Sequence, residues 1–365
     1  MPHYRNLVLL TQKYFFAKEP KKAIEFAKKS LSINSNNSYI YDILAESYMI
    51  LGEFNNAKRA GVKSLKLKDK QSNSYRVYPM PSSPIVPFDR DKSRNIISFS
   101  LFGDNPKYCE NAIINATVAK DIYPFWSCRF YCDSGVPPHV ISRLKAQKAE
   151  VIIKPTTQNR DDMLLWRFLV MGDSSIDRYL VRDCDAIINT KESRAVDEWI
   201  ASDKRFHIMR DFYTHTDLIL AGMFGGTTDL FPNIKEMIDE FNRVKNPNIS
   251  HQDQLFLRRY IWRSIKWDSV VHDSYFRYDS TLPFPPHPKQ PKGHHVGKNE
   301  GAISINIRLD STINKSRINW GIYDTRGSLV CKYSTNVVDG KWSSHIPSLY
   351  LQKIRDKEYI IKSDI

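Results

Sequence analysis

The sequence DRYLVRDCDAIIN, residues 177–189, contains an apolar run at 179–181 that predicts a buried strand. The run leads into two carboxylates, Asp183 and Asp185, which are separated by one residue. Because residues i and i+2 of extended chain point to the same side, both carboxylates can face one divalent cation. Mg²⁺ and Mn²⁺ take carboxylate oxygens together with substrate phosphates. The segment therefore has two interpretations, a metal that holds a nucleotide diphosphate and a solvated turn, and the second is commoner for a bare motif.

Strand and helix patterns alternate in the sequence before this segment. Strand patterns occupy 95–102, 128–132 and 151–154, and helical patterns occupy 107–120, 140–148 and 161–172. This alternation predicts right-handed crossovers and a mainly parallel sheet. Ligands of such sheets bind beyond the carboxyl ends of the strands. We therefore expect Phe102, Asp104 and Asp133, which end or follow the first two strands, to contact a nucleotide.

The helical pattern at 161–172 contains one cationic residue, Arg167, among apolar residues. Near a diphosphate its guanidinium can form two parallel hydrogen bonds, a geometry that lysine lacks. The alternative is an ordinary solvated or ion-paired arginine on a helix.

The order of these features resembles the nucleotide-sugar glycosyltransferases of the GT-A fold. The shared pattern is Arg-aromatic-Leu at 167–169, about a dozen residues, and an apolar strand that runs into Asp-x-Asp. The chain is most similar to the glycogenin and lipopolysaccharide glucosyl/galactosyltransferase group over 95–273. The segments AVDEW (195–199), FHIMRD (206–211) and LAGMFGG (220–226) also resemble bacterial polysaccharide-synthesis proteins that carry this domain.

The resemblance implies an α/β fold with a GT-A-like, Rossmann-type mixed sheet flanked by helices. It implies a metal-dependent hexosyltransferase, with Mn²⁺ or Mg²⁺, that moves sugar from a nucleotide-sugar donor to a saccharide or glycolipid acceptor. A role in surface polysaccharide or glycoconjugate synthesis follows from the same resemblance. One alternative is a catalytically inactive scaffold that binds partners through repeats in its N-terminal region. The other is a phosphoryl or nucleotidyl transferase that uses Asp183 and Asp185.

The resemblance also assigns residues. Asp183 and Asp185 match the motif that binds metal and donor phosphates, Arg167 matches a donor contact, and Asp253-Gln254 matches a pair near the donor sugar. Asp253 is the best candidate base if the reaction inverts the anomeric centre. The family's final His-Gly motif is absent, so we expect the third metal ligand to be His295, with His272 and His294 as alternatives. Lys298 would then reach a phosphate.

Four further residues are predicted near the donor, and three of them have a structural alternative. Arg182 stands where the family has an uncharged residue. Arg210 and Asp211 can line the donor pocket or form a structural ion pair. Gly222, like Gly225 and Gly226, can let backbone approach a sugar ring or can belong to a tight turn.

The N-terminal region repeats with an offset of 34 residues, which matches Tyr14 with Tyr48 and Ala23 with Ala57. This period resembles the tetratricopeptide repeat. A protein-binding array and a helical cap for the next domain are the two interpretations. We predict helical repeats at 1–70, a Pro/Ser-rich linker at 71–94, the transferase domain at 95–299, and a small β-rich appendage at 300–365 with a hairpin turn at 324–327.

Composition bounds the partners and the compartment. The 365-residue chain has a net charge of +14, which favours anionic partners. No dense basic block or nucleic-acid-binding motif occurs, so we expect no nucleic acid partner. The five cysteines form no Cys-x-x-Cys pair, and no apolar run of about 18 residues occurs. These features predict a cytoplasmic protein, with peripheral contact to the inner membrane face left open.

Overall fold

The computed structural model describes residues 2–157, 159–246, 251–291, 293–300, 302–309 and 315–364. The chain divides into two units. The first unit comprises Met1–Ile96, Phe168–Arg182 and Asn189–Val296, and the second comprises Ile97–Arg167, Asp183–Ile188 and Gly297–Ile365. The predicted α/β class is confirmed, with N-terminal helices, a mixed sheet flanked by helices and a C-terminal antiparallel sheet.

The N-terminal region of the first unit is helical. Its helices are α1 (Pro2–Phe16), α2 (Pro20–Ile33), α3 (Ser38–Ile50) and α4 (Phe54–Ser72). Pro20 starts α2, where a missing backbone N–H is tolerated, and Asn37 caps α3 by accepting from the N–H of Ile40. Ala23 and Ala57, predicted where helices cross, are both fully buried. Four helices are therefore present, and their membership of the tetratricopeptide family stays a prediction.

Helix α4 joins these helices to the rest of the first unit. A Cβ on Gly61 would collide with the ring of Phe276, so the helix backbone lies directly on that ring. The buried ammonium of Lys68 lies 3.2 Å from the carboxylate of Asp217 and 2.9 Å from the carbonyl oxygen of Thr216. These contacts favour the helical-cap interpretation, because one face of the array is occupied within its own unit.

The mixed sheet has seven strands. They are β1 (Asn95–Leu101), β2 (Ser127–Cys132), β3 (Glu150–Ile153), β4 (Arg178–Val181), β5 (Phe206–Arg210), β6 (Phe224–Thr227) and β7 (Ser269–Asp273). In the second unit the order is β3-β2-β1, with β2 and β3 parallel. In the first unit the order is β4-β6-β5-β7, where β6 is antiparallel to both neighbours and β5 is parallel to β7. The mixed sheet that the resemblance implies is therefore confirmed, with β6 antiparallel to both of its neighbours.

Strand β6 was not predicted from the glycine-rich segment that contains it. Gly225 and Gly226 were expected at a sugar ring or in a turn, but both lie within β6. A Cβ on Gly225 would stand 2.6 Å from the Leu180 side chain and 2.6 Å from the carbonyl oxygen of Tyr179 on β4. The missing side chain therefore serves close packing within the sheet.

Helices cover the sheet, and several shorter helical segments connect its strands. The helices are α5 (Pro106–Ile122), α6 (Pro138–Ala146), α7 (Arg160–Leu164), α8 (Thr190–Ile200), α9 (Ile234–Val244), α10 (Gln252–Phe256) and α11 (Trp262–Ile265). The 3₁₀ segments are Lys92–Arg94, Leu165–Gly172 and Lys266–Asp268, and Leu257–Ile261 is a π segment. Among the described helices, none combines the length and apolarity needed to cross a bilayer.

The single helix predicted at 161–172 is instead α7 followed by a 3₁₀ segment. The serines of β1 explain the change at Arg167. Its N–H donates to the hydroxyl of Ser100 (2.9 Å), and its carbonyl accepts from the hydroxyl of Ser98 (2.7 Å). Because these groups bond to the strand, they are drawn away from a regular α-helical ladder.

The C-terminal sheet belongs to the second unit. Its elements are β8 (Ala302–Arg308), β9 (Arg317–Asp324), β10 (Leu329–Val338), β11 (Lys341–Pro347), α12 (Ser348–Arg355) and β12 (Tyr359–Ser363). The strand order is β12-β9-β10-β11-β8, and the pairs are antiparallel. The predicted turn at 324–327 connects β9 to β10, with Asp324 accepting hydrogen bonds from the N–H groups of Arg326 and Ser328.

Candidate functional site

The second unit contains a cavity of about 140 Å³ beyond the end of β1. It is lined by Ser100, Leu101, Phe102, Tyr108, Arg160, Leu164, Arg167, Asp183, Cys184 and Asp185. The cavity therefore brings together four residues that the sequence predicted for the site, namely Phe102, Arg167, Asp183 and Asp185.

Asp183 lines the cavity and pairs with the buried guanidinium of Arg167. Its side chain is 39% exposed, and its Oδ1 accepts a hydrogen bond from Nη1 of the buried Arg167. The backbone of Arg167 is held by Ser98 and Ser100 of β1. This anchoring fixes the arginine in place, and the pair presents both a carboxylate and a guanidinium to a ligand.

Asp185 is the more buried of the two carboxylates. Its Oδ2 accepts from Nζ of Lys107 (2.9 Å) and from Nδ2 of Asn299 (2.8 Å). Burial and the neighbouring Asp183 carboxylate raise the pKa of Asp185, and the ammonium of Lys107 opposes this change. A buried carboxylate beside a second carboxylate forms a place where added positive charge is stabilising.

The backbone of the Asp-x-Asp segment is held by one buried amide of α5. Nδ2 of Asn115 donates to the carbonyl oxygens of Cys184 (3.2 Å) and Ala186 (3.1 Å), and its Oδ1 accepts from the N–H of Ile188 (3.0 Å). These three hydrogen bonds satisfy the backbone where the chain has left the strand. They keep the segment, and so its carboxylates, in one conformation.

Aromatic rings and cations form another wall of the cavity. The guanidinium of Arg160 lies 5.4 Å from the ring centroid of Phe102 and 5.7 Å from that of Tyr108. The ammonium of Lys107 lies 4.8 Å from the Tyr108 ring. Flat aromatic and guanidinium surfaces can stack on a base, and the positive charges attract phosphate.

Three other predicted residues of the second unit do not line this cavity. Oδ1 of Asp133 accepts from the N–H of Gly103 (2.9 Å), so its buried carboxylate fixes the turn after β1. Asp104 is exposed in the same turn. Lys298 is half-buried beside Asn299, and it has no ion-pair partner within the part of the chain that the structure describes.

Two arginines predicted near the donor are buried in the first unit with structural partners. Nε of Arg182 donates to Glu192 (3.1 Å), and its Nη1 donates to the carbonyl oxygens of Val181 and Phe224. Nε of Arg210 donates to Asp273 (3.0 Å), and both side chains of that pair are buried. For Arg210 this geometry favours the structural ion pair over the donor-pocket interpretation.

Asp211 and His295 lie in one cluster of the first unit. Asp211 accepts from Nζ of Lys191 (2.7 Å) and from the N–H of Val296 (3.1 Å), so it anchors the segment that carries His295. The His295 ring stacks on Phe212 with a centroid distance of 3.9 Å. Throughout the described residues, no group of three or more His, Cys, Asp and Glu side chains converges as a metal shell.

The alternative ligand His272 has a structural environment. Its Nδ1 lies 2.8 Å from Nε2 of His207, and its Nε2 lies 3.0 Å from Oε2 of Glu198. Burial lowers the pKa of His272, which Glu198 opposes. The ring is therefore already hydrogen-bonded through both nitrogens.

The remaining predicted residues lie in the first unit. Asp253 and Gln254 lie in the first turn of α10, and Oδ1 of Asp253 accepts from the N–H of Gln254 (2.9 Å). Asp253 is buried and Gln254 is half-buried. Gly222 is buried in the turn that precedes β6.

Several residues of the second unit that shape the cavity were not predicted from the sequence. They are Ser98, Ser100, Lys107, Tyr108, Asn115, Arg160 and Asn299. One signal was available for Asn115, which is a polar residue on the apolar face of α5. The other residues are identified only by their contacts with residues that are distant in the sequence.

Parts of the chain are similar to solved glycosyltransferase structures. One is the galactosyltransferase LgtC in complex with donor and acceptor sugar analogs, with 14% identity, 49% of this chain and 73% of that chain covered, and a TM-score of 0.34. Another is the mannosyltransferase PcManGT from Pyrobaculum calidifontis in complex with GDP-Man and Mn²⁺, with 9% identity, 64% and 67% coverage, and a TM-score of 0.33.

A third is an O-GlcNAc transferase mutant from Thermobaculum terrenum, with 13% identity, 49% of this chain and 39% of that chain covered, and a TM-score of 0.26. No family model matches the sequence, and no curated protein matches it. Similarity at these levels carries no argument about activity or ligand.

Proposed function

We propose that this protein is a glycosyltransferase that uses a divalent metal ion, and that the cavity of the second unit binds the nucleotide diphosphate of its donor. The observation that carries the proposal is the pair Asp183 and Asp185 at one cavity with Arg167 and Arg160, while Lys107 pairs with Asp185. Carboxylates that bind a cation, beside cations that bind phosphate, match the charge pattern of a metal–diphosphate complex. The GT-A type of fold belongs to the same proposal.

The donor atoms present fit Mn²⁺ or Mg²⁺. Both ions prefer oxygen ligands, and Mg²⁺ is commonly bound by one or two carboxylates plus substrate phosphates. Nη1 of Arg167 donates to Oδ1 of Asp183, and both Asp183 and Asp185 line the cavity, so two carboxylates are available to a cation there. A bound metal would supply electrostatic neutralisation of the leaving diphosphate.

The chain's own residues have separate roles in this proposal. Arg167, fixed by two serines, offers paired N–H donors to a phosphate, and Arg160 with Tyr108 forms a flat surface for the base. Lys107 holds Asp185 in place through its ammonium. Lys298, whose ammonium has no acidic partner among the described residues, is free to bind a second phosphate.

The other assigned residues enter as part of the proposal. Asp253 and Gln254 would position the donor sugar or activate the acceptor hydroxyl, His295 would complete the metal shell, and Gly222 would lie near the sugar. The acceptor would be a saccharide or glycolipid, in cytoplasmic synthesis of surface polysaccharide or glycoconjugate. These roles derive from the sequence resemblance.

Calorimetric titration with uridine and guanosine diphosphates, with and without Mn²⁺, tests the proposal. We expect binding that requires Mn²⁺ and that falls at least about tenfold in Asp183→Asn and Asp185→Asn, because each loses one charged ligand. Asp121→Asn is the matched control, since Asp121 is an exposed carboxylate on α5 of the same unit. Equal affinity with and without Mn²⁺, or equal losses in all three variants, would refute the proposal.

A second candidate is a catalytically inactive binding protein. The observation that favours it is that each carboxylate already has a protein cation, Arg167 for Asp183 and Lys107 for Asp185. In that case the pairs would stabilise the fold and the cavity would need no metal. Wild-type nucleotide-sugar affinity that persists in Asp183→Asn, together with a loss of folding stability, would identify this function.

A further inference from the structure

The four N-terminal helices expose large apolar side chains at two of their turns. Residues 17–19 connect α1 to α2, residues 34–37 connect α2 to α3, and residues 51–53 connect α3 to α4. Connections this short join antiparallel neighbours, so the first and third turns lie at the same end of the array. We call that end the helical tip, defined by Phe16, Ile50 and Phe54.

The apolar side chains of the helical tip are among the most exposed in the chain. Phe16 is 70% exposed, Ile50 is 56% exposed and Phe54 is 58% exposed. The 34-residue repeat places Phe16 and Ile50 at equivalent positions, so both turns carry an apolar residue there. A cluster of exposed large apolar side chains is costly in water and marks an interaction surface.

Cations surround the helical tip. Lys18 and Lys21 are exposed in and after the first turn, and they have no acidic partner within the described residues. Lys58 and Arg59 lie on the first two turns of α4, where they and their neighbours line a depression of about 370 Å³. Its other lining residues are Asn55 and Val62, at spacings that place all four on one helix face.

The acidic side chains near the tip do not cancel this charge. Glu19 pairs with Lys22 (2.6 Å), and Glu53 accepts from the amide of Asn56. The tip therefore presents apolar residues at the two turns with a surplus of cations beside them. This arrangement combines the two features that an interfacial membrane segment uses, apolar insertion and attraction to anionic headgroups.

We propose that the helical tip docks on an anionic lipid bilayer. Phe16, Ile50 and Phe54 enter the boundary between headgroups and acyl chains, and the depression at Lys58 and Arg59 receives a lipid phosphate. Charge complementarity identifies the occupant, since a surface of phosphates satisfies the cations while its apolar layer covers the rings. The proposal is independent of the transferase activity, and lipid binding alone tests it.

Flotation with vesicles of phosphatidylcholine and about 30% phosphatidylglycerol measures this binding. We expect binding to anionic vesicles that weakens when salt rises from about 0.1 M to about 0.5 M, because screening shortens the reach of the cations. Lys58→Glu with Arg59→Glu should lower the affinity at least about tenfold. Phe16→Ser with Phe54→Ser should lower it by a similar factor, because the inserted rings are lost.

Matched controls exist at the opposite end of the same helices. Ile33 is 53% exposed at the end of α2, so Ile33→Ser removes a comparable apolar side chain away from the tip. Lys66→Glu with Lys70→Glu reverses two exposed charges near the end of α4. We expect both controls to keep wild-type vesicle binding.

Several results would overturn the proposal. They are equal binding to neutral and anionic vesicles, equal losses in tip and control variants, and full displacement by inorganic phosphate at constant ionic strength, which would indicate a free-anion site. Sedimentation of the protein without lipid can give a further result that would overturn the proposal. If the wild type self-associates and Phe16→Ser with Phe54→Ser abolishes this, a second copy of the chain covers the tip instead.

Discussion

Glu110 of α5 provides a stringent test of how the C-terminal sheet is held in the second unit. Its buried carboxylate accepts from the hydroxyl of Tyr333 on β10 (2.5 Å) and from that of Tyr350 on α12 (2.8 Å). Nη1 of Arg143 on α6 donates to the same carboxylate (2.7 Å). We predict that Glu110→Gln destabilises the protein strongly, because one side chain connects four elements.

The size of the effect follows from these contacts. A hydrogen bond to a charged group contributes about 1.5–3 kcal/mol, so Tyr333→Phe and Tyr350→Phe should each lower the free energy of unfolding by about 2 kcal/mol. Glu110→Gln removes the charge from all three contacts and should lower it by about 3–5 kcal/mol, as when one partner of a buried ion pair is lost. That is a large fraction of the roughly 5–15 kcal/mol by which proteins are stable.

Urea unfolding followed by fluorescence measures these differences, and the double tyrosine variant measures their coupling. Because both hydroxyls bind one carboxylate, the double variant should differ from the sum of the singles by at least about 0.5 kcal/mol. Arg143→Met separates the ion pair from the tyrosines. A loss below about 1 kcal/mol for Glu110→Gln, or strictly additive tyrosine variants, would show that the carboxylate does not anchor the sheet.

Three other substitutions have definite expected outcomes. Gly225→Ala should lower the urea midpoint, with a loss of about 2 kcal/mol or more, because its methyl group would overlap Leu180 on β4; an unchanged midpoint would refute the packing. Arg182→Met should lower the free energy of unfolding by about 3–5 kcal/mol, because the buried Glu192 carboxylate loses the Arg182 cation. Recovery of that stability in the double variant with Glu192→Leu would confirm the pair, and no recovery would refute it. Burial, together with the nearby His295 ring and the guanidinium of Arg210, lowers the pKa of His215 to about 3, below its unfolded value of about 6.5. As pH falls through about 6.5, the unfolded state therefore binds a proton that the folded state does not bind. Acidification from about pH 7.5 to about pH 5.5 should lower the free energy of unfolding by about 1 kcal/mol through this residue. His215→Asn, which keeps an acceptor, should show a smaller loss over the same range in urea unfolding, and an identical pH dependence would contradict this origin.

Much of the second unit could be predicted because its signals are local. The apolar run of β1 is bounded by polar turns, and the patterns of α5 and β2 follow in the order seen. The 3₁₀ segment Leu165–Gly172 could not be predicted, since the serines that bond to it lie on β1 far away in sequence. Strand β6 was missed because glycine has low strand preference, and only the close approach of β4 explains it.

The same contrast applies to the candidate site. Asp183 and Asp185 are separated by one residue, and extended-chain geometry predicted that they would face one place. Both line the cavity, but from a turn in which the N–H of Ala186 donates to the carbonyl oxygen of Asp183 (3.3 Å). Lys107 and Asn299 both donate hydrogen bonds to Asp185 from distant parts of the sequence, and no local sequence pattern predicts these contacts. Arg182 and Arg210 were predicted near the donor, with a structural ion pair as the alternative for Arg210. Their buried carboxylate partners are visible only in three dimensions.

The release of free nucleoside diphosphate from a panel of nucleotide sugars, with Mn²⁺ and a mixture of saccharide acceptors, tests the proposed chemistry most directly. We predict release from at least one donor by the wild type and by Asp121→Asn, and a loss of at least about a hundredfold in Asp183→Asn. Equal release by wild type and Asp183→Asn, or pyrophosphate in place of nucleoside diphosphate, would contradict it.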